Sequence, residues 1–365
     1  MFKLTAMSSR RALLTGGLTS LLPFAIHAQS PSGTRELLSP LLARHHVPEA
    51  SLALIRNGEI AELVAIGADP QTLFEAASIS KVVTAVTVLR LAEQGRLGLD
   101  TPVNEMLRSW ALPGADAKSV TPRLLLSHRG GTTVPGFPGY AAGAPLPTLA
   151  QILDGAPPAN TPAVRVAWPP GKAVVYSGGG TMVLQRLVMD VAGAAFDGLT
   201  RDLVLAPAGM SRSGFFQPLP AAESDAAAAH DLQGTMLPGR FHVYPEHAAA
   251  GLWSTPAELA RLALAIATSW REGGLLQHAT ARTMATPIDD GPTGAGIFVQ
   301  PRGDRPPYLY HEGVNAGFRS VLVFAADASF GVMLMTNGEG GRPLIPEFLD
   351  ALFAAHGQEP FRPAD

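Results

Sequence analysis

Ser78-Ile79-Ser80-Lys81 sets a hydroxyl and an amine three positions apart at the start of an apolar segment. On a helix those positions share a face, with Cβ atoms about 5–6 Å apart, so a hydroxyl–amine hydrogen bond is within reach. The helix N-terminus favours negative charge developing on the serine oxygen. A lysine desolvated there beside another cation would hold its proton less tightly and could accept the serine's. Ala76, Ala77, Ile79, Val82 and Val83 make the surroundings apolar. Taken alone, the spacing also fits a solvated lysine on an amphipathic helix.

Two further groups carry possible chemistry. Tyr176-Ser177-Gly178-Gly179-Gly180 follows a Pro169-Pro170-Gly171-Lys172 loop. A tyrosine on such a loop could present its phenol to a cleft as general base or acid, or simply pack beneath the loop. His311-Glu312-Gly313-Val314 ends one predicted strand and turns through Asn315-Ala316-Gly317 into the next. Gly313 would let a substrate backbone approach closely, and a free N–H on that edge could join that of Ser78 as an oxyanion hole. His311-Glu312 invites a metal reading, but no H-E-x-x-H follows and no other histidine has ligand spacing, so no metal and no cofactor is expected.

These residues need elements to hold them. Ser51–Arg56 and Ile60–Ile66 flank Asn57-Gly58, a hairpin signal. A helical pattern runs from Ser78 to Ala92, with Gly95 beyond its end. A second helix spans Thr181–Val191. A third begins at Thr255, with Pro256 first and Glu258 completing a capping box. Strands return at Gly296–Gln300, Tyr308–His311, Ser320–Ala325 and Gly331–Thr336, and a last helix covers Pro343–Ala355. Strands at both ends around a helical middle predict an α+β fold. Its antiparallel sheet is drawn from about 37–75 and 294–360, and its helical part from about 78–290, in one domain spanning 29–365.

The 365 residues are 47% apolar and 16% charged, with a formal charge of −3. That balance excludes a disordered chain and provides no basic field for nucleic acid. Cysteine is absent, which leaves serine as the nucleophile. Of the 27 basic residues only Lys3, Lys81, Lys118 and Lys172 are lysine, and in an arginine-favouring chain Lys81 has a chemical reason for its type. Residues 1–28 read as an export signal: Lys3, Arg10 and Arg11 precede a mildly apolar stretch ending at Ile26-His27-Ala28, and Ser9-Arg10-Arg11 resembles a twin-arginine motif. A periplasmic or secreted location without a membrane anchor is the expectation.

In this order and spacing the three groups resemble the penicillin-recognising serine hydrolases, which include class C β-lactamases, D-alanyl-D-alanine carboxypeptidases and β-lactamase-like esterases. Ser78 and Lys81 match the family's S-x-x-K, Tyr176 opens its Y-x-N, and His311 with Gly313 matches H-x-G. Leu124–His128 and Gly251–Thr255 match two intervening segments. The resemblance implies a β-lactamase/transpeptidase-like fold, Ser78 as the acylated nucleophile, and Lys81 with Tyr176 as its proton-transfer network. It further implies an oxyanion hole from the Ser78 and Val314 N–H groups, and His311 along the substrate strand. Two departures bear on substrate. Gly178 replaces the family asparagine that would hold an acyl-amide carbonyl, and His311 replaces a permanently charged lysine, for which Arg319 could substitute at a substrate carboxylate. The expectation is an exported serine hydrolase acting on a small ester, D-amino-acid amide or peptide, or β-lactam. The competing class is a non-catalytic or slowly turning-over receptor for peptidoglycan or β-lactam fragments. No G-x-S-x-G supports an α/β-hydrolase, and Gly171-Lys172-Ala173 is not a phosphate loop.

Overall fold

The computed structural model describes residues 33–289 and 291–363; the expected export segment lies outside them. Eight strands are present among the described residues: β1 Ala50–Arg56, β2 Glu59–Ile66, β3 Phe74–Ala77, β4 Leu252–Ser254, β5 Phe298–Arg302, β6 Arg305–Asn315, β7 Phe318–Ala325 and β8 Phe330–Thr336. Six of them form an antiparallel sheet in the order β2-β1-β8-β7-β6-β5, so the chain's two ends meet where β1 pairs with β8. The α+β sheet expected from the sequence is therefore present. Asn57 and Gly58, with φ of 52° and 83°, make the two-residue turn that joins β1 to β2.

Side-chain alternation divides the core between the two faces of this sheet. Leu52, Leu54, Val321, Val323, Val332 and Leu334 pack against helices Gly33–Arg44 and Gly341–Ala355. Ala53, Ile55, Leu322, Phe324, Met333 and Met335 face the helical middle, where helix Pro256–Glu272 lies on β1 and β8. Helix Gly33–Arg44 occupies a stretch the sequence reading assigned partly to the sheet.

Local differences have tertiary causes. The helix expected at Thr181 starts at Gly178, although three glycines oppose helix formation. A Cβ at 179 would come within 2.5 Å of the Thr133 carbonyl, and one at 180 within 2.7 Å of Thr132 Oγ1. Close packing selects the glycines, and Ser177 Oγ caps the turn by accepting the Gly180 N–H at 2.9 Å. At Thr255 the cap is present but the box is half made. The Glu258 carboxylate turns instead to Ser213, accepting its N–H at 2.8 Å and its hydroxyl at 2.6 Å. The short β3–β4 pair, unmarked by any long apolar alternation, carries the chain into Ser78.

Candidate active site

Ser78 stands in a turn between β3 and helix Ser80–Glu93. Ala77 adopts a left-handed φ of 50°, a conformation costly for a residue with a Cβ. Ser80 holds that turn closed: its hydroxyl donates to the Ala77 carbonyl at 2.5 Å and accepts the Leu252 N–H at 2.9 Å. One helical turn on, Lys81 is buried. Its Nζ lies 2.9 Å from Ser78 Oγ and donates to the Ala249 carbonyl at 2.7 Å. Ala249 belongs to the single-turn helix His247–Ala250, which Thr84 also grips through the Ala248 carbonyl at 2.9 Å.

Tyr176 enters from the other side, with its ring centroid 5.1 Å from Lys81 Nζ. His128 backs it, the two ring centroids 4.4 Å apart, and the Ser177 N–H donates to His128 Nδ1 at 3.2 Å. Burial, then the nearby Lys81 and His311, push the His128 proton affinity well below the ordinary imidazole value. His128 is thus a neutral support for Tyr176. Sequence reasoning matched its segment to the family and left it without a role, though Leu124–His128 followed by two glycines was the available signal.

The third wall is β6. Strand β5 accompanies it only as far as the Phe298–Tyr310 pair, which leaves the outer edge of His311–Asn315 open beside Ser78. His311 Nδ1–H donates to the Glu312 carbonyl at 2.7 Å, and burial, with Lys81 nearby, lowers its pKa to about 3. It is an uncharged imidazole at any ordinary pH. Asn315 ties this edge back to β3: its Nδ2 donates to Glu75 Oε2 at 2.6 Å and to the Ala250 carbonyl at 3.2 Å. Burial raises the Glu75 carboxyl well above its usual range, so it stays protonated as a neutral partner.

Ser78, Lys81, Tyr176, His311 and Val314 line one cavity of about 730 Å³. Pro135, Phe137, Pro138, Phe298 and Tyr310 complete a largely apolar wall. Val314 is 60% exposed there, an unusual position for a valine away from an interaction surface. Three expected site residues sit elsewhere. A Cβ on Gly313 would overlap Ser320 Oγ and the Ala76 carbonyl, so this glycine makes room for the β3 chain and not for a substrate. Arg319 is tied to Glu339 and donates to the carbonyls of Asn315 and Phe318 at 2.6 and 2.7 Å, out of the cavity lining. Gly178 lies behind the wall: a Cβ there would meet the Phe137 ring at 3.0 Å, in the space an asparagine side chain would need. Among the described residues no group of three or more His, Cys, Asp or Glu side chains gathers as a metal site would require.

The chain as a whole has counterparts among known proteins. The Beta-lactamase family model matches residues 34–355. Penicillin-binding protein 4 of Amycolatopsis lactamdurans is 30% identical over 188 residues, covering 49% of this chain and 48% of its own. The chain thus spans about half the length of that relative. A putative penicillin-binding protein of Bacillus subtilis is 23% identical, with 78% and 69% covered. Among solved structures, the D-amino acid amidase from Ochrobactrum anthropi superposes with a TM-score of 0.72 at 21% identity, covering 88% of this chain and 99% of that one. The class C β-lactamase from Rhodobacter sphaeroides gives 0.67 at 18% identity, with the same coverage of 88% and 99%. The chain belongs to the Beta-lactamase family, within the penicillin-recognising serine hydrolases.

Proposed function

We propose that this protein is a serine acyl hydrolase working through an acyl-enzyme on Ser78, with esters or amides as substrates and no requirement for a substrate carboxylate. The observation that carries the reading is the 2.9 Å approach of Lys81 Nζ to Ser78 Oγ at an open cavity. Ser78 Oγ attacks the carbonyl carbon while its proton passes to the Lys81–Tyr176 pair. The N–H groups of Ser78 and Val314 hold the oxyanion. Collapse expels the alcohol or amine, which recovers the proton, and water then cleaves the acyl-enzyme to free acid and Ser78.

The neutral His311 and the engaged Arg319 support the choice of substrate, because neither supplies a cation for the carboxylate of a β-lactam or a peptide C-terminus. Phe137 beside Gly178 supports it too, since no amide side chain stands there to hold an acyl-amide carbonyl. The names of the penicillin-binding relatives keep D-peptides and β-lactams among the compounds to test. Export through residues 1–28 belongs to the same proposal. The secreted form should begin at Gln29, and an intact Met1 would refute export.

Intact-mass measurement after separate incubation with a fluorophosphonate, a penicillin and a p-nitrophenyl ester tests the chemistry. An adduct on Ser78 with the first and turnover of the ester are expected. Ser78→Ala should stay folded, form no adduct and lose about 10³-fold or more of turnover. The absence of any adduct on the unmodified chain would leave a receptor and defeat the hydrolase.

A further inference from the structure

Glu312 lies on the open edge of β6 and is among the residues that line the cavity holding Ser78 and Lys81. Among the described residues no cation pairs with its carboxylate; the hydrogen bond from His311 goes to its backbone carbonyl. Glu312 is exposed, and the partial loss of hydration there raises its pKa with no neighbouring charge to lower it. Lys81 is bonded to Ser78 and Ala249, Arg319 is held by Glu339 and is not among the lining residues, and His311 is neutral. Within the described lining Glu312 is the one carboxylate and Lys81 the one cation, and the residues around Phe137 are uncharged. An entering carboxylate would meet the like charge of Glu312, whereas an entering ammonium would pair with it.

We infer that Glu312 is a specificity-determining residue that selects substrates carrying a positive charge: an ester or amide with a primary ammonium close to the scissile carbonyl, as in an amino-acid ester or amide with a free amine. The inference rests on the acyl-hydrolase reading of Ser78 and adds the charge of the substrate to it. The Glu312 carboxylate takes no part in bond making; it positions the charged arm while Ser78 attacks.

The test uses three fluorophosphonates with the same short linker, ending in an ammonium, a methyl or a carboxylate group. Rates of Ser78 modification are followed by intact mass in the unmodified protein, Glu312→Gln, Glu312→Asp and Glu312→Lys. The readout is the ammonium-to-carboxylate rate ratio within each protein, which cancels any general loss of reactivity. A ratio of about ten or more is expected for the unmodified protein at low ionic strength, shrinking as salt is added. Glu312→Asp should keep a ratio above one, Glu312→Gln should bring it to within about threefold of one, and Glu312→Lys should invert it. Equal rates in the unmodified protein, or an unchanged ratio in Glu312→Gln, would overturn the inference and leave the hydrolase reading standing. Failure of all three reagents to modify Ser78 would overturn both.

Discussion

Lys81 is bonded on two sides, to Ser78 Oγ and to the Ala249 carbonyl, so its amine has a fixed direction. Arginine cannot give up its proton at working pH, and its planar fork does not fit a site built for one nitrogen. Lys81→Arg should therefore fold yet lose about 10²–10⁴-fold in acylation rate, as read by the burst of nitrophenol from an activated ester. Gly178 shows how one missing side chain shapes a wall. Gly178→Asn would press its Cβ on the Phe137 ring and the Pro135 carbonyl, at 3.0 and 3.3 Å. It should lower stability by about 1–3 kcal/mol in thermal unfolding, and Phe137→Ala in the same chain should return part of that loss.

At the scale of elements, the site depends on β3 and β6 touching. Gly313 permits the contact, and the Asn315–Glu75 bond fastens it. Gly313→Ala would thrust a methyl group into the Ala76 carbonyl, two residues before Ser78. We expect a loss of about 3 kcal/mol or more in denaturant unfolding and of nearly all activity. Adding Ser320→Ala should not restore either, because the second obstacle is backbone. A full recovery would show that β3 can move without disturbing the nucleophile. The left-handed Ala77 and its Ser80 clamp belong to the same device, in which a strained turn is stored where strand hands over to helix.

For the whole molecule, buried carboxyls and buried imidazoles pull the pH response in opposite directions: His128 and His311, held neutral by burial, favour the folded chain as pH rises through 6.5, and Glu246 and Glu75 oppose it. Glu246 is fully buried, and burial raises its pKa from 4.5 to about 7. Below 4.5 it is protonated whether the chain is folded or not, so it costs nothing. Between 4.5 and about 7 the unfolded chain releases the proton first, and stability falls; above 7 the deficit is constant, at roughly 3 kcal/mol. Glu75 shifts in the same direction. In urea unfolding, Glu246→Gln should therefore gain stability over the unmodified chain at pH 8 relative to pH 5. An unchanged pH 5-to-pH 8 difference in Glu246→Gln would contradict this account.

The amino-acid sequence by itself determined the sheet from both chain ends, the Asn57-Gly58 turn, the main helices, and the pairing of Ser78 with Lys81. Each of these rests on a local period, a turn chemistry or a spacing of three residues, which neighbours in the chain impose. It also showed Tyr176, His311 and Val314 as candidates, in an order that resembles a family, without showing that they share a cavity. Tertiary structure decided the rest. Gly313 faces β3, Arg319 is spent on Glu339, and Gly178 yields its space to Phe137. His128, Asn315 and the unpaired Glu312 gain their significance only from partners 49, 240 or more residues away, or from having none. Their environment is made by burial and by distant segments of chain, and burial is what turns a histidine neutral.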